Sequence, residues 1–182
     1  MNLDQEIETI FDTLNYHNCG LLYRNRDKII EDLMNMYKNN SSFKEMASIY
    51  NTPYWNYIMN IRDMTESRIY GKFMIFTYEP EILTDSLKDI VSRGLSPIIK
   101  YSTNKPSFQT KRNKDGSLSK SKIICIYTDR SYRKIRDLAI YLVKNEIIKK
   151  DIPFQASYDY GYEGSKYQLK KKMMLSDFVK SK

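Results

Sequence analysis

Amines and guanidiniums are the reactive groups that this chain gathers in one place. Between Lys100 and Arg136 stand eleven Lys and Arg against two acids, Asp115 and Asp129. That segment is more positive than the whole 182-residue chain, whose formal net charge is +8, and residues 1–99 are net acidic. A local field of this kind selects an anionic ligand, and phosphate suits dispersed cations. The candidate phosphate ligands are Lys72, Lys100, Lys105, Arg130, Arg133 and Arg136. The three arginines crowd the start of an expected helix, where each cation opposes the macrodipole by about 0.3–1 kcal/mol. With the free backbone N–H groups of a helix start they suit a phosphate instead. A solvated surface that happens to be rich in Lys and Arg is the plainer alternative.

Aromatic residues supply the second kind of chemistry. Trp55, Tyr101 and Tyr127 are candidate stacking or hydrogen-bonding groups, with Tyr54 and Tyr57 as further stacking partners. Stacking on a base contributes roughly 1–3 kcal/mol and tolerates any base. The sixteen tyrosines, with the wealth of Asn, Lys and Ile, also follow from an AT-rich genome, so only position gives them meaning. Histidine and cysteine are nearly absent: His17 is the single histidine, and Cys19 and Cys125 are the two cysteines. A zinc site, a His-based triad and a disulfide framework are therefore not expected. No Gly-rich phosphate loop or dinucleotide fingerprint occurs, and neither a metal nor a cofactor is expected. No apolar run reaches the roughly 20 residues that span a bilayer, and no secretion signal is visible near Met1. The expectation is a cytoplasmic protein with no membrane partner.

Elements must hold these groups. Leu3, Ile7, Ile10, Phe11 and Leu14 have helical spacing, and so do Ile29, Ile30, Leu33, Met36 and Tyr37, with Asn15–Gly20 read as a break between two helices. Ser42 and Glu45 fit a capping box before Phe43, Met46, Ile49 and Tyr50, which predicts a third helix. Pro53 halts it. Tyr54–Ile61 is rich in strand formers, although a short helix would bury the same residues. Ile69–Tyr78 reads as a strand with Phe73, Ile75 and Tyr78 inward, followed by a helix over Glu81–Ser92 with Gly94 at its stop. The runs Pro97–Pro106 and Lys122–Asp129 read as paired strands joined by a long flexible loop, with Asp115-Gly116 as a turn. A helix follows Ser131 to about Asn145, then a strand over Pro153–Tyr158, a turn-rich loop, and an amphipathic Met173–Val179 after three lysines. The class is α+β, a curved and mainly antiparallel sheet backed by helices. One domain is expected over 1–182, with a helical extension at 1–50, a core at 53–169 and a basic tail at 170–182.

Gly71-Lys-Phe-Met-Ile-Phe76, Lys100-Tyr-Ser-Thr-Asn-Lys-Pro106, Ile124-Cys-Ile-Tyr-Thr-Asp129 and Tyr158-Asp-Tyr-Gly-Tyr162 stand in an order that resembles the family typified by the basophilic leukemia expressed protein. The resemblance covers about residues 55–169. It implies a fold like that of the cap-binding translation initiation factors. It also implies kinship with phosphothreonine lyases, which release phosphate by β-elimination. In the lyase pattern Lys100 corresponds to the base and Lys72 to a basic residue beside it, but the acid, a histidine, is replaced by Met74, which transfers no proton. Cap recognition by two tryptophans is likewise incomplete, since Trp55 is alone. The expected function is a binding module for a phosphate-bearing ligand, RNA or a nucleotide. The alternatives are a lyase-like enzyme with Lys100 as base, and docking of a protein partner through the N-terminal helices.

Overall fold

The computed structural model describes residues 3–39, 47–60, 70–106, 112–129, 131–156 and 173–180. Seven strands form one sheet: β1 (Ser48–Asn51), β2 (Trp55–Met59), β3 (Gly71–Thr77), β4 (Ile98–Ser102), β5 (Lys122–Thr128), β6 (Pro153–Ala156) and β7 (Met173–Met174). Their order is β1-β2-β4-β5-β3-β6-β7, and every neighbouring pair is antiparallel. The helices are α1 (Leu3–Asn39), α2 (Thr84–Ser92), α3 (Tyr132–Lys144) and α4 (Leu175–Lys180), with a 3-10 turn at Pro80–Leu83 leading into α2. The α+β class with a mainly antiparallel sheet is thus the observed one.

Strand alternation gives the sheet two unlike faces. Ile58, Phe73, Ile75, Ile99, Ile124, Ile126 and Phe154 point to one face, where Leu87, Ile90 and Val91 of α2, Ile135, Leu138 and Leu142 of α3, and Leu175 and Phe178 of α4 close a single core. Phe73, Phe154 and Phe178 pack ring to ring there, with centroids 5.0–5.8 Å apart. Gly71 is required by this packing, because a Cβ there would lie 2.4 Å from the Phe154 ring. Asp89 ties α2 to α3 by accepting from the Tyr141 hydroxyl while pairing with Arg93 at 2.7 Å.

α1 lies on the other face. Its Ile29 and Leu33, fully buried, cover Tyr50, Tyr57, Met59 and Ile98. A polar stripe beside them seals the outer edge of β1: Asn25 Nδ2 donates to the Asn51 carbonyl at 2.9 Å, Asn51 N donates back to Asn25 Oδ1, and Lys28 Nζ donates to the Ile49 carbonyl at 2.6 Å. The Tyr50 hydroxyl donates to Asp32.

Several expectations are corrected. Asn15–Gly20 does not break the helix; α1 runs without interruption from Leu3 to Asn39, its docking on the sheet outweighing weak local propensity. Residues 48–51, expected as the end of a third helix, form β1, because Tyr50 is buried by pairing opposite Tyr57; Ser42–Met46 lie outside the described residues. Met173–Lys180 is no tail, since β7 pairs with β6 and Phe178 enters the core. Tyr78, expected inward, is 72% exposed beyond the end of β3. Asp115-Gly116 does form a turn, with Gly116 at φ +82° and Arg112 bridged to Leu118 across it. The Tyr-rich stretch 158–169 lies outside the described residues.

Candidate anion-binding face

The α1 side of the sheet brings several of the expected site residues together. Antiparallel register sets Lys100 of β4 between Tyr57 of β2 and Cys125 of β5, and Cys125 opposite Met74 of β3. One row along, Lys72 of β3 stands opposite Tyr127 of β5 on one side and Gln155 of β6 on the other. One row the other way, Trp55 stands opposite Ser102. Lys100 Nζ sits 4.2 Å from the centroid of the Trp55 ring and 5.8 Å from that of Tyr127, and Lys72 Nζ is also 5.8 Å from the Tyr127 ring. Each such cation–π contact contributes on the order of 0.5–2 kcal/mol, the more so when water is excluded. Tyr127 is thus shared by two ammonium groups.

Burial pulls the Lys100 amine below its usual value; the Cys125 thiol opposes that shift and the neighbouring Lys72 charge adds to it. Burial pushes the Cys125 thiol up, against the pull of Lys72 and Lys100. Tyr57 is pushed up to about 12, first by burial and then by Cys125. Among the described residues no carboxylate pairs with Lys72 or Lys100. Two cations beside one aromatic ring, one of them half-buried and neither paired with a carboxylate among the described residues, have an electrostatic deficit that an anion corrects. Trp55 and Tyr127 are half-buried and pack, as Ile7 of α1 does, against the cluster under that helix, whereas Phe76, farther along the same face, is 66% exposed.

The structure gathers four of the residues expected at the site: Lys72, Lys100, Trp55 and Tyr127. It separates the others. Tyr101 points to the opposite face, 4% exposed in the three-helix core, so it offers no ring to a ligand beside Lys100. Strand alternation is the reason: consecutive residues face opposite ways. Arg133 and Arg136 belong to α3, which packs on that opposite face through Ile135 and Leu138. The start of α3 is satisfied internally, with the Ser131 hydroxyl accepting from Lys134 N and Asp129 pairing with Lys134 Nζ at 2.8 Å. Arg136 Nε is buried there without a hydrogen-bond partner among the described residues. Lys105 lies past the end of β4, its Nζ 5.1 Å over the Tyr54 ring. Arg130 is outside the described residues. The expected convergence of all the cations on one hollow therefore reduces to a pair of lysines. Cys125 lies between them in the run Lys122–Asp129 expected as a strand, and its relation to both amines appears once β4, β5 and β3 are aligned.

Compared with protein-family models, with characterised proteins and with solved structures, the chain matches none of them. Among the described residues there is no cluster of His, Cys, Asp and Glu able to hold a metal ion, and no helix long and apolar enough to cross a membrane.

Proposed function

We propose that the chain binds a phosphate-bearing ligand, a nucleotide or RNA, with Lys72 and Lys100 holding the phosphate and Trp55 and Tyr127 beside it. The observation that carries this reading is the placement of two ammonium groups on one shared tyrosine ring with no carboxylate paired to either among the described residues. A bound phosphate offsets their mutual repulsion and the desolvation of Lys100 together. The likeness to cap-binding initiation factors draws support from the single antiparallel sheet with three helices on one face; α1 on the other face departs from it. The test is titration with adenosine monophosphate by calorimetry at two salt concentrations. Binding is expected to weaken with salt and to drop at least tenfold in Lys100→Met and in Lys72→Met. Affinity unaffected by either substitution would refute the proposal.

A lyase-like reaction has one observation in its favour. A lysine whose amine is depressed by burial and a second cation is poised to act as a base. In that reaction Lys100 Nζ takes the Cα proton of phosphothreonine, the Cα–Cβ double bond forms as the Cβ–O bond breaks, and phosphate leaves toward Lys72. Release of phosphate from a phosphothreonine peptide, with an unsaturated residue left behind, tests it. Docking of a protein partner through α1 has less support, because Ile29 and Leu33 of its apolar stripe are buried on the chain's own sheet.

A further inference from the structure

The face that bears Lys72 and Lys100 continues into a second recess at the strand ends. Trp55 and Ser102 form the row of side chains after the Lys100 row, and both line a cavity of about 480 Å³ reached by Tyr54, Lys105 and Lys120. Small-ligand sites fall in that size range. Lys105 and Lys120 are exposed, and no carboxylate pairs with either among the described residues. Lys122 in the same lining is already held by Glu81 at 3.0 Å, and Glu79 is the acid that the lining contains. Tyr54 presents a ring 40% exposed, with the Lys105 ammonium above it.

These features form a diagonal across the sheet, from β3 through β5 and β4 to β2 and two rows along the strands. Rows of side chains on one face are two residues apart, roughly 6.6 Å at the usual rise per residue. Passing from the Lys72 row to the Lys100 row, the Trp55 row and then the recess, cations alternate with aromatic rings: Lys72, Tyr127, Lys100, Trp55, and then Tyr54 with Lys105. Alternating charge and flat apolar surface is what a single strand of nucleic acid presents in mirror form, phosphate then unpaired base. A mononucleotide held at Lys72 and Lys100 would leave the recess unused.

We infer that the recess formed by Trp55, Tyr54 and Lys105 takes the next nucleotide of a single-stranded nucleic acid, its base against the aromatic rings and its phosphate at Lys105. The inference rests on the reading that Lys72 and Lys100 hold a phosphate, and names the ligand of that site as an oligonucleotide. A duplex is excluded by the same chemistry, because its bases are not free to stack on side chains.

The experiment compares adenosine monophosphate with a four-residue oligoadenylate on the full chain, the Lys105→Ala/Tyr54→Leu variant and the Lys100→Met variant. The oligomer is expected to bind at least tenfold tighter than the monophosphate. Lys105→Ala/Tyr54→Leu is expected to remove most of that advantage and to change monophosphate binding less than twofold, with the far-ultraviolet spectrum unaltered because both side chains are surface groups. Equal affinity for the two ligands, or equal losses for both in the double variant, overturns the recess. An oligomer that depends on Lys105 and Tyr54 but ignores Lys100→Met supports the recess and refutes the phosphate reading at Lys72 and Lys100. Binding of neither ligand overturns both.

Discussion

The two faces of the sheet bury comparable strands in opposite ways. On one, three helices close over isoleucines and phenylalanines that interlock with Phe178, and the fully buried residues of those helices are apolar, with the Nε of half-buried Arg136 as the polar exception. On the other, Ile29 and Leu33 of α1 cover residues of β1, β2 and β4, and the same face carries Lys72, Lys100, Cys125, Tyr127 and Trp55. A face that exists only for stability has no use for a half-buried ammonium such as that of Lys100, whose desolvation costs more than an alkyl group of the same size. The contrast therefore teaches where to look: polar groups that weaken packing are retained where they meet something other than the chain itself.

Substitutions can break that contrast. The largest effect is expected for Phe73→Ala, which empties the centre of the three-helix core and should cost about 3–5 kcal/mol in chemical denaturation. Leu33→Ala on the α1 side is expected nearer the lower end of the large-to-small range, about 2–3 kcal/mol, because fewer elements meet there; a loss as large as that of Phe73→Ala would mean the two faces are equally core. Gly71→Ala forces a methyl against the Phe154 ring and is expected to cost about 1–3 kcal/mol, read as a lowered denaturation midpoint. Lys100→Met keeps the length of the side chain over Trp55 and removes a half-buried charge, so stability is expected to change by less than about 0.5 kcal/mol or to rise; a loss above that would make Lys100 a structural residue.

The smallest effect is one of pH. The Lys100 amine titrates below 10.5 in the free protein, and an anion is held by its protonated form. Affinity is therefore expected to fall as pH climbs through that lowered value, earlier than exposed lysines would require. Lys100 itself adds stability in the same window, since between the folded value and 10.5 the unfolded chain carries the additional proton, while Cys125 and Tyr57, whose folded values are raised, remove stability as pH climbs. Calorimetric titrations at a series of alkaline pH values read the affinity, and denaturation midpoints of the native chain against Lys100→Met read the Lys100 share of the stability slope; a midpoint difference that does not change with pH would contradict the assignment.

Much of this arrangement was legible in the residues. The β-branched runs of β3, β4 and β5, the Gly94 stop after α2, the Ser131 start of α3 and the apolar stripe of α3 each announce their element locally. α1 was not legible as one helix, because Asn15, His17 and Gly20 argue for a break and only distant packing overrules them. β1 was misread for a related reason: Ser48–Asn51 has too few residues to show a period of two, and its pairing with β2 decides it. At the site, Lys72 and Lys100 were identifiable as cations, yet sequence adjacency joined Lys100 to Tyr101 and to the arginines of α3. Register across four strands separates them.

The seal on β1 has a consequence for how the molecule keeps to itself. Side chains of Asn25 and Lys28 occupy the backbone groups that an additional strand would use, so α1 serves as a stand-in neighbour for an outermost strand. A chain lacking residues 1–39 would present that rim bare, next to the apolar surface that Ile29 and Leu33 now hide, and self-association through it is the expected fate, visible as a concentration-dependent increase in hydrodynamic size.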